Sequence, residues 1–227
     1  MSISTQAAVT VATSLGVPCD SPVVLHDGSN VVVHLRPSQV VARVATLTAD
    51  VRPGISAWLA RDIAVAQHLA SRGVPATRPL SEPMVVDGEV AVLWHYEPHD
   101  PAHVFSPAEV AAQLASLHEA LASFEDPLPR FAPCDERKRP LEVAVRNRAF
   151  SSASTGGRSM SGRVDGAAAV AAYPGAYSRD ELAVCMELRD LVGVVWRFVL
   201  ATRFPDLLGE AEENLRRWLA QHGDRHR

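Results

Sequence analysis

The chain has 227 residues, 47% of them hydrophobic, and a formal net charge of −4 at pH 7. That length and apolar content suffice for one large core or two small lobes. The acid–base balance leaves no global basic field to recruit nucleic acid or an anionic membrane, and no apolar run approaches the roughly 18 residues of a membrane span.

Three cysteines (Cys19, Cys134 and Cys185) are odd in number and contain no CxxC spacing. That usage fits free thiols in a reducing cytoplasm better than a disulfide framework or a zinc site. The opening "MSISTQAAVTVATSLGV" has no Lys or Arg ahead of its apolar part. A short amphipathic first helix is therefore expected rather than a signal peptide.

Residues 22–50 read as β-structure: three valine-rich runs broken by "HDGSN" and "RPSQ". Gly28 and Asn30 tolerate positive φ and Pro37 presets a bend, so a strand–turn–strand–turn–strand meander is expected. A helix follows over about 56–72, with Ile55, Leu59, Ile63, Ala66 and Leu69 at helical spacing and Gly73 and Pro75 as its stop. Strands are expected at 83–86 and 90–96 on either side of an Asp87-Gly88 turn, and "EPHDP" reads as a connector. Ser106, Pro107 and Glu109 spell a complete helix start, with Val110, Leu114, Leu117 and Leu121 as the expected buried stripe. Ser178 and Glu181 repeat the capping spelling before a long apolar helix to about Thr202. Pro205 separates that helix from a last one over 207–222.

Residues 136–163 hold seven basic residues against two acidic ones, with serine and glycine runs and little to bury. A flexible solvated linker is the expected state.

Several of these spellings occur together in one family. "HDGSNVVVHL" (26–35) is similar to the first hairpin of the aminoglycoside phosphotransferase and choline kinase-like family, whose tip covers nucleotide phosphates. "VVARVA" (40–45) resembles its third strand, with Arg43 in the place of the phosphate-binding cation. "ARDIAVAQHLASRGVPATRPL" (60–80) is similar to the helix whose acidic residue, here Asp62, pairs with that cation. "AVLWHYEP" (91–98) resembles the fifth strand and adenine-binding hinge, and "EVAAQLASLHEAL" (109–121) the first large-lobe helix. The stretch "YSRDELAVCMELRDLVGVVWRFVLA" (177–201) resembles a late helical segment of the same lobe.

The resemblance implies an α+β, protein kinase-like two-lobed fold. Residues 1–98 would form a small antiparallel β-sheet lobe with one helix. Residues 99–227 would form a shortened helical lobe, with 136–170 atypical. It further implies ATP and Mg2+ as cofactors, a small hydroxyl-bearing acceptor, and a nucleotide site of Gly28, Ser29, Asn30, Arg43, Asp62, Trp94, His95 and Tyr96. The chemistry is consistent with those roles. Small residues and backbone N–H groups suit phosphates, arginine can grip a phosphate bidentately though it is no neutral swap for lysine, and adenine needs an apolar slot edged by backbone hydrogen bonds. Plainer readings stand beside these: Arg43 as a strand-surface arginine, Asp62 as a solvated helix residue, Asn30 as a turn residue, and Trp94 and Tyr96 as packing on one strand face. His118, on the leucine face of its helix, is expected to be packed rather than catalytic.

Phosphoryl transfer also needs an aspartate to orient the acceptor hydroxyl, and an asparagine and a second aspartate for magnesium. In the resembled family these follow the first large-lobe helices, where this chain has the histidine-free stretch 136–163. Asp165 is the only aspartate nearby, and the sequence offers it none of the partners that would make a metal site. His-Gly-Asp does occur at 222–224, but the chain ends at Arg227, before an asparagine five residues on. "AEENLRRWLAQH" followed by Gly223 instead spells a helix and its left-handed cap. Three accounts of the chain are open: a catalytically impaired phosphotransferase, a non-catalytic nucleotide or metabolite binding module, and the remnant of an interrupted kinase gene.

Overall fold

The computed structural model describes residues 1–100, 102–126, 166–174 and 179–222. In chain order the elements are α1 (Ile3–Ser14), β1 (Cys19–Asp27), β2 (Asn30–Pro37), β3 (Val40–Ala45), α2 (Leu47–Val51), α3 (Ile55–Ser71), β4 (Met84–Val86), β5 (Glu89–His95), α4 (Pro107–Leu121), α5 (Gly166–Ala172), α6 (Arg179–Arg203) and α7 (Leu208–His222). They fall into two compact units: one holds α1, the strands, α3, α4 and α5, and the other holds α6 and α7. The sheet-bearing unit thus runs on past residue 98. No helix among the described residues is long and apolar enough to cross a membrane.

The fold is a mixed α+β arrangement around a five-stranded sheet in the order β1-β2-β3-β5-β4, every neighbouring pair antiparallel. The valine runs form strands because β-branched side chains pack well on a pleated surface, and strand alternation sends their residues to two covered faces. On one face Val31, Val33, Leu35, Ala42, Val44, Ala91 and Leu93 join Ala8, Val11 and Ala12 of α1 in one core. On the other, Ala45, Val90 and Val92 join Leu59 and Ile63 of α3, with Ile55 and Trp94 packed against them. The central strands therefore sit between two helices.

Local chemistry sets the helix ends. In α1 the Ser2 hydroxyl accepts from the Thr5 N–H. At the end of α3, Gly73 adopts φ +73°, Val74 donates back to the Leu69 carbonyl and Gly73 to that of Ala70. This is a Schellman stop, available to glycine without a Cβ penalty. The β4–β5 turn has positive φ at both Asp87 (51°) and Gly88 (83°), the twist that joins two antiparallel strands tightly.

The capping box of α4 is complete, with Ser106 Oγ accepting from the Glu109 N–H at 3.2 Å and Glu109 Oε2 accepting from the Ser106 N–H at 2.7 Å. These hydrogen bonds to Ser106 hold the Glu109 carboxyl below its ordinary value of 4.5. A carboxylate with a lowered folded pKa stabilises the fold above its unfolded pKa, and that contribution is lost as pH falls through the folded value. Glu109→Gln keeps an acceptor but cannot titrate. Its melting temperature should therefore fall less steeply than that of the native chain between pH 5 and pH 3, as followed by circular dichroism.

Three expectations are corrected. The β-structure expected to run to residue 50 ends at Ala45, and Leu47–Val51 turns into a short helix instead. The stripe Val110, Leu114, Leu117 and Leu121 is not the buried face of α4: that face carries Ala111 and Ala120, while Leu114 is 42% exposed. Alanines let α4 lie close to its neighbours α3 and α5, and Val110, Leu114 and Leu117 line a groove of about 260 Å³ with Val74, Pro75, Phe105 and Gln113. His118 is exposed rather than packed, its Nδ1 2.6 Å from the hydroxyl of Tyr173, the residue that follows α5.

In the second unit α6 and α7 are joined by a short 3-10 turn at Pro205–Leu207, and Arg197 pairs with Glu210 across the two helices. His222 ends α7, stacked on Trp218 and donating from Nδ1 to its carbonyl at 2.9 Å. Ser178, the stretch 136–163, Asp165 and Gly223–Arg227 lie outside the described residues.

Candidate functional site

Seven of the eight candidate residues lie on or beside one face of the sheet, the face covered by α3. The register pairs Val32 with Arg43 and Arg43 with Val92, and Asn30 with Ala45 and Val41 with Trp94. Alternation along each strand then puts Asn30, Val32, His34, Arg43, Trp94 and, one residue past β5, Tyr96 on that face. Asp62 approaches it from α3, and Gly28 and Ser29 form the hairpin tip beside Asn30. His95 has the opposite parity.

Docking of Leu59 and Ile63 on Val90 and Val92 carries Asp62, the only acidic residue of α3, over the strand. Arg43 Nη1 donates to Asp62 Oδ2 at 3.0 Å. Their side chains are 29% and 45% exposed, so water screens the pair and its stability is worth at most about 1 kcal/mol. Its consequence is orientation. One guanidinium nitrogen is anchored, and the other N–H donors of Arg43 have no protein partner among the described residues.

The hairpin tip is held from below. The Gly28 N–H donates to the Asn30 carbonyl at 3.1 Å, and a Cβ on Gly28 would come within 2.5 Å of His26 Nε2 unless that ring moved. The Ser29 carbonyl accepts from Thr46 Oγ1 and from the Thr48 N–H, both at 3.1 Å. Asn30 Oδ1 accepts from Thr48 Oγ1 at 2.5 Å. Thr46, between β3 and α2, and Thr48, in the first turn of α2, were not among the sequence candidates. Their signal was modest: two hydroxyl residues at a strand end, a place where side chains often bond to backbone.

The connector after β5 is more committed than the sequence suggests. The His95 N–H donates to the Arg78 carbonyl at 2.9 Å and the Tyr96 N–H to that of Gln39 at 3.0 Å. Neither donor is available to a base edge. The Tyr96 ring stacks on His34, with centroids 4.1 Å apart and planes 11° from parallel. His34 is 5% exposed and accepts at Nδ1 from Arg36 Nε, so its Nε2 donates to the Ser38 carbonyl. The indole N–H of Trp94 is buried without a partner among the described residues.

Among the described residues no group of three or more His, Cys, Asp or Glu side chains comes together to hold a metal ion. The one carboxylate of α3 is engaged with Arg43. No protein-family model matches the chain, and no curated protein matches it.

Proposed function

We propose that the sheet-bearing unit is a nucleotide-binding lobe of the kinase-like type. The chain is then a phosphotransferase-type protein resembling aminoglycoside phosphotransferases and choline kinases, able to hold the phosphates of ATP but impaired in transferring them. The observation that carries this reading is the Arg43–Asp62 pair, which offers an oriented, half-exposed guanidinium on a sheet face beside a small-residue hairpin tip. A guanidinium with unengaged N–H donors suits the planar, bidentate recognition of a phosphate. The impairment is inferred from the sequence, in which no His-Gly-Asp occurs between α4 and α6. Loss of a positioned general base costs about 10²–10⁴ in rate.

One observation favours phosphate recognition over base recognition within this site: the His95 and Tyr96 N–H groups are already engaged. ATP and inorganic tripolyphosphate should therefore raise the melting temperature of the chain to similar extents at equal concentration. Turnover of ATP in the presence of magnesium and an aminoglycoside should stay near background in a coupled assay. Absence of stabilisation by both ligands sinks the binding reading, and robust turnover sinks the impairment.

A further inference from the structure

The geometry points to Thr46 and Thr48 as positioning residues that lock the hairpin tip and aim the side-chain amide of Asn30 at the ligand. This inference rests on the phosphate-binding reading. A hairpin tip of Gly, Ser and Asn is intrinsically loose, since small residues give up much conformational freedom on ordering. Here the looseness is removed by three bonds from one corner: Thr46 Oγ1 and the Thr48 N–H on the Ser29 carbonyl, and Thr48 Oγ1 on Asn30 Oδ1. Thr48 is itself buried, so its hydroxyl cannot turn to water instead.

The third bond has a directional consequence. A hydroxyl donating to Oδ1 fixes which end of the Asn30 amide faces the corner. The Nδ2 amino group is left pointing away from it, with no partner among the described residues. Asn30 shares its sheet face with Arg43, two residues along β2 from Val32, the cross-strand neighbour of Arg43. One amide N–H pair and one guanidinium are therefore presented together, both preset by protein contacts. Presetting donors lowers the ordering cost of binding.

The test uses the full chain, tripolyphosphate as the probe, titration calorimetry for affinity, and amide hydrogen exchange over residues 28–31. Thr48→Val should speed exchange at the tip and weaken tripolyphosphate about five- to tenfold, the scale of one lost hydrogen bond. Thr48→Ser, which keeps the hydroxyl, should restore both. Asn30→Asp separates locking from presentation, because its carboxylate still accepts from Thr48 but replaces the amino donor with negative charge. It should leave tip exchange near native and abolish measurable binding. Native affinity in Thr48→Val or in Asn30→Asp overturns the inference while leaving the phosphate reading intact. Failure of the native chain to bind tripolyphosphate overturns both. If Thr48→Val does not fold, Asn30→Asp decides alone, since Asn30 lies at a hairpin tip outside both cores.

Discussion

Leu93→Ala is expected to destabilise the chain by about 3–5 kcal/mol, near the upper end for a leucine truncation. Leu93 is 0% exposed in β5, opposite Ala42 on β3, and belongs to the core that α1 closes with Ala8, Val11 and Ala12. Transfer of the lost side-chain atoms accounts for about 2 kcal/mol. The remainder is the cavity, and the neighbours decide its size. Ala42, Ala91, Ala8 and Ala12 have no side-chain reach with which to collapse into the space. The backbone is fixed as well: the Leu93 carbonyl accepts from the Leu80 N–H at 2.8 Å, and the Leu93 N–H donates to Ser81 Oγ at 2.9 Å. Val85→Ala on the neighbouring strand β4 is the control. Val85 is 67% exposed, and its truncation should stay within about 0.5 kcal/mol of native. Urea unfolding followed by far-ultraviolet circular dichroism measures both. Equal, small costs would contradict a sheet covered on both faces.

The sheet and its flanking helix were largely legible because their signals are local. Valine alternation between turn residues marks β1 to β3, and the Asp87-Gly88 pair marks the β4–β5 turn. Gly73 ends α3 within a residue of the expected place because a left-handed stop is a one-residue event. The capping box of α4 was readable for the same reason.

What escaped depends on which segments meet. Leu47–Val51 is too short to show a helical period and directly follows a valine run. Periodicity identified the leucine stripe of α4 but cannot tell a buried stripe from one lining a groove, and His118 was misplaced with it. The seven-residue α5, almost all alanine, has no polar face to contrast with an apolar one. In the site, Arg43 and Asp62 are 19 residues apart. Their pairing was expected only through resemblance, since neither strand nor helix period connects them. Thr46 and Thr48 become visible only once the β1–β2 tip is known to lie against the corner after β3. The commitment of the His95 and Tyr96 N–H groups to Arg78 and Gln39 was hidden in the same way, because both partners lie in irregular chain.

Arg43→Ala is expected to reduce tripolyphosphate and ATP affinity by about one to two orders of magnitude, the value of a charge-assisted hydrogen bond or two at a half-exposed site. Its melting temperature without ligand should barely move, because the exposed ion pair it breaks contributes little to stability. That split separates a ligand-binding arginine from a structural one. Arg43→Lys keeps the charge but replaces a planar fork with a compact ammonium, so it should fall between native and Arg43→Ala. Asp62→Asn leaves the guanidinium in place but weakens its tether. It should cost less affinity than Arg43→Ala and likewise leave the melting temperature nearly unchanged. Arg216, exposed on α7 and paired with Glu213 one turn away, is the control, and its replacement by alanine should change neither property. Binding should also weaken from 50 mM to 500 mM salt, because an exposed cation is screened over a shrinking distance. Native affinity in Arg43→Ala would remove the cation from the site. The Arg43–Asp62 pair would then be a surface contact between a strand and the helix that covers it.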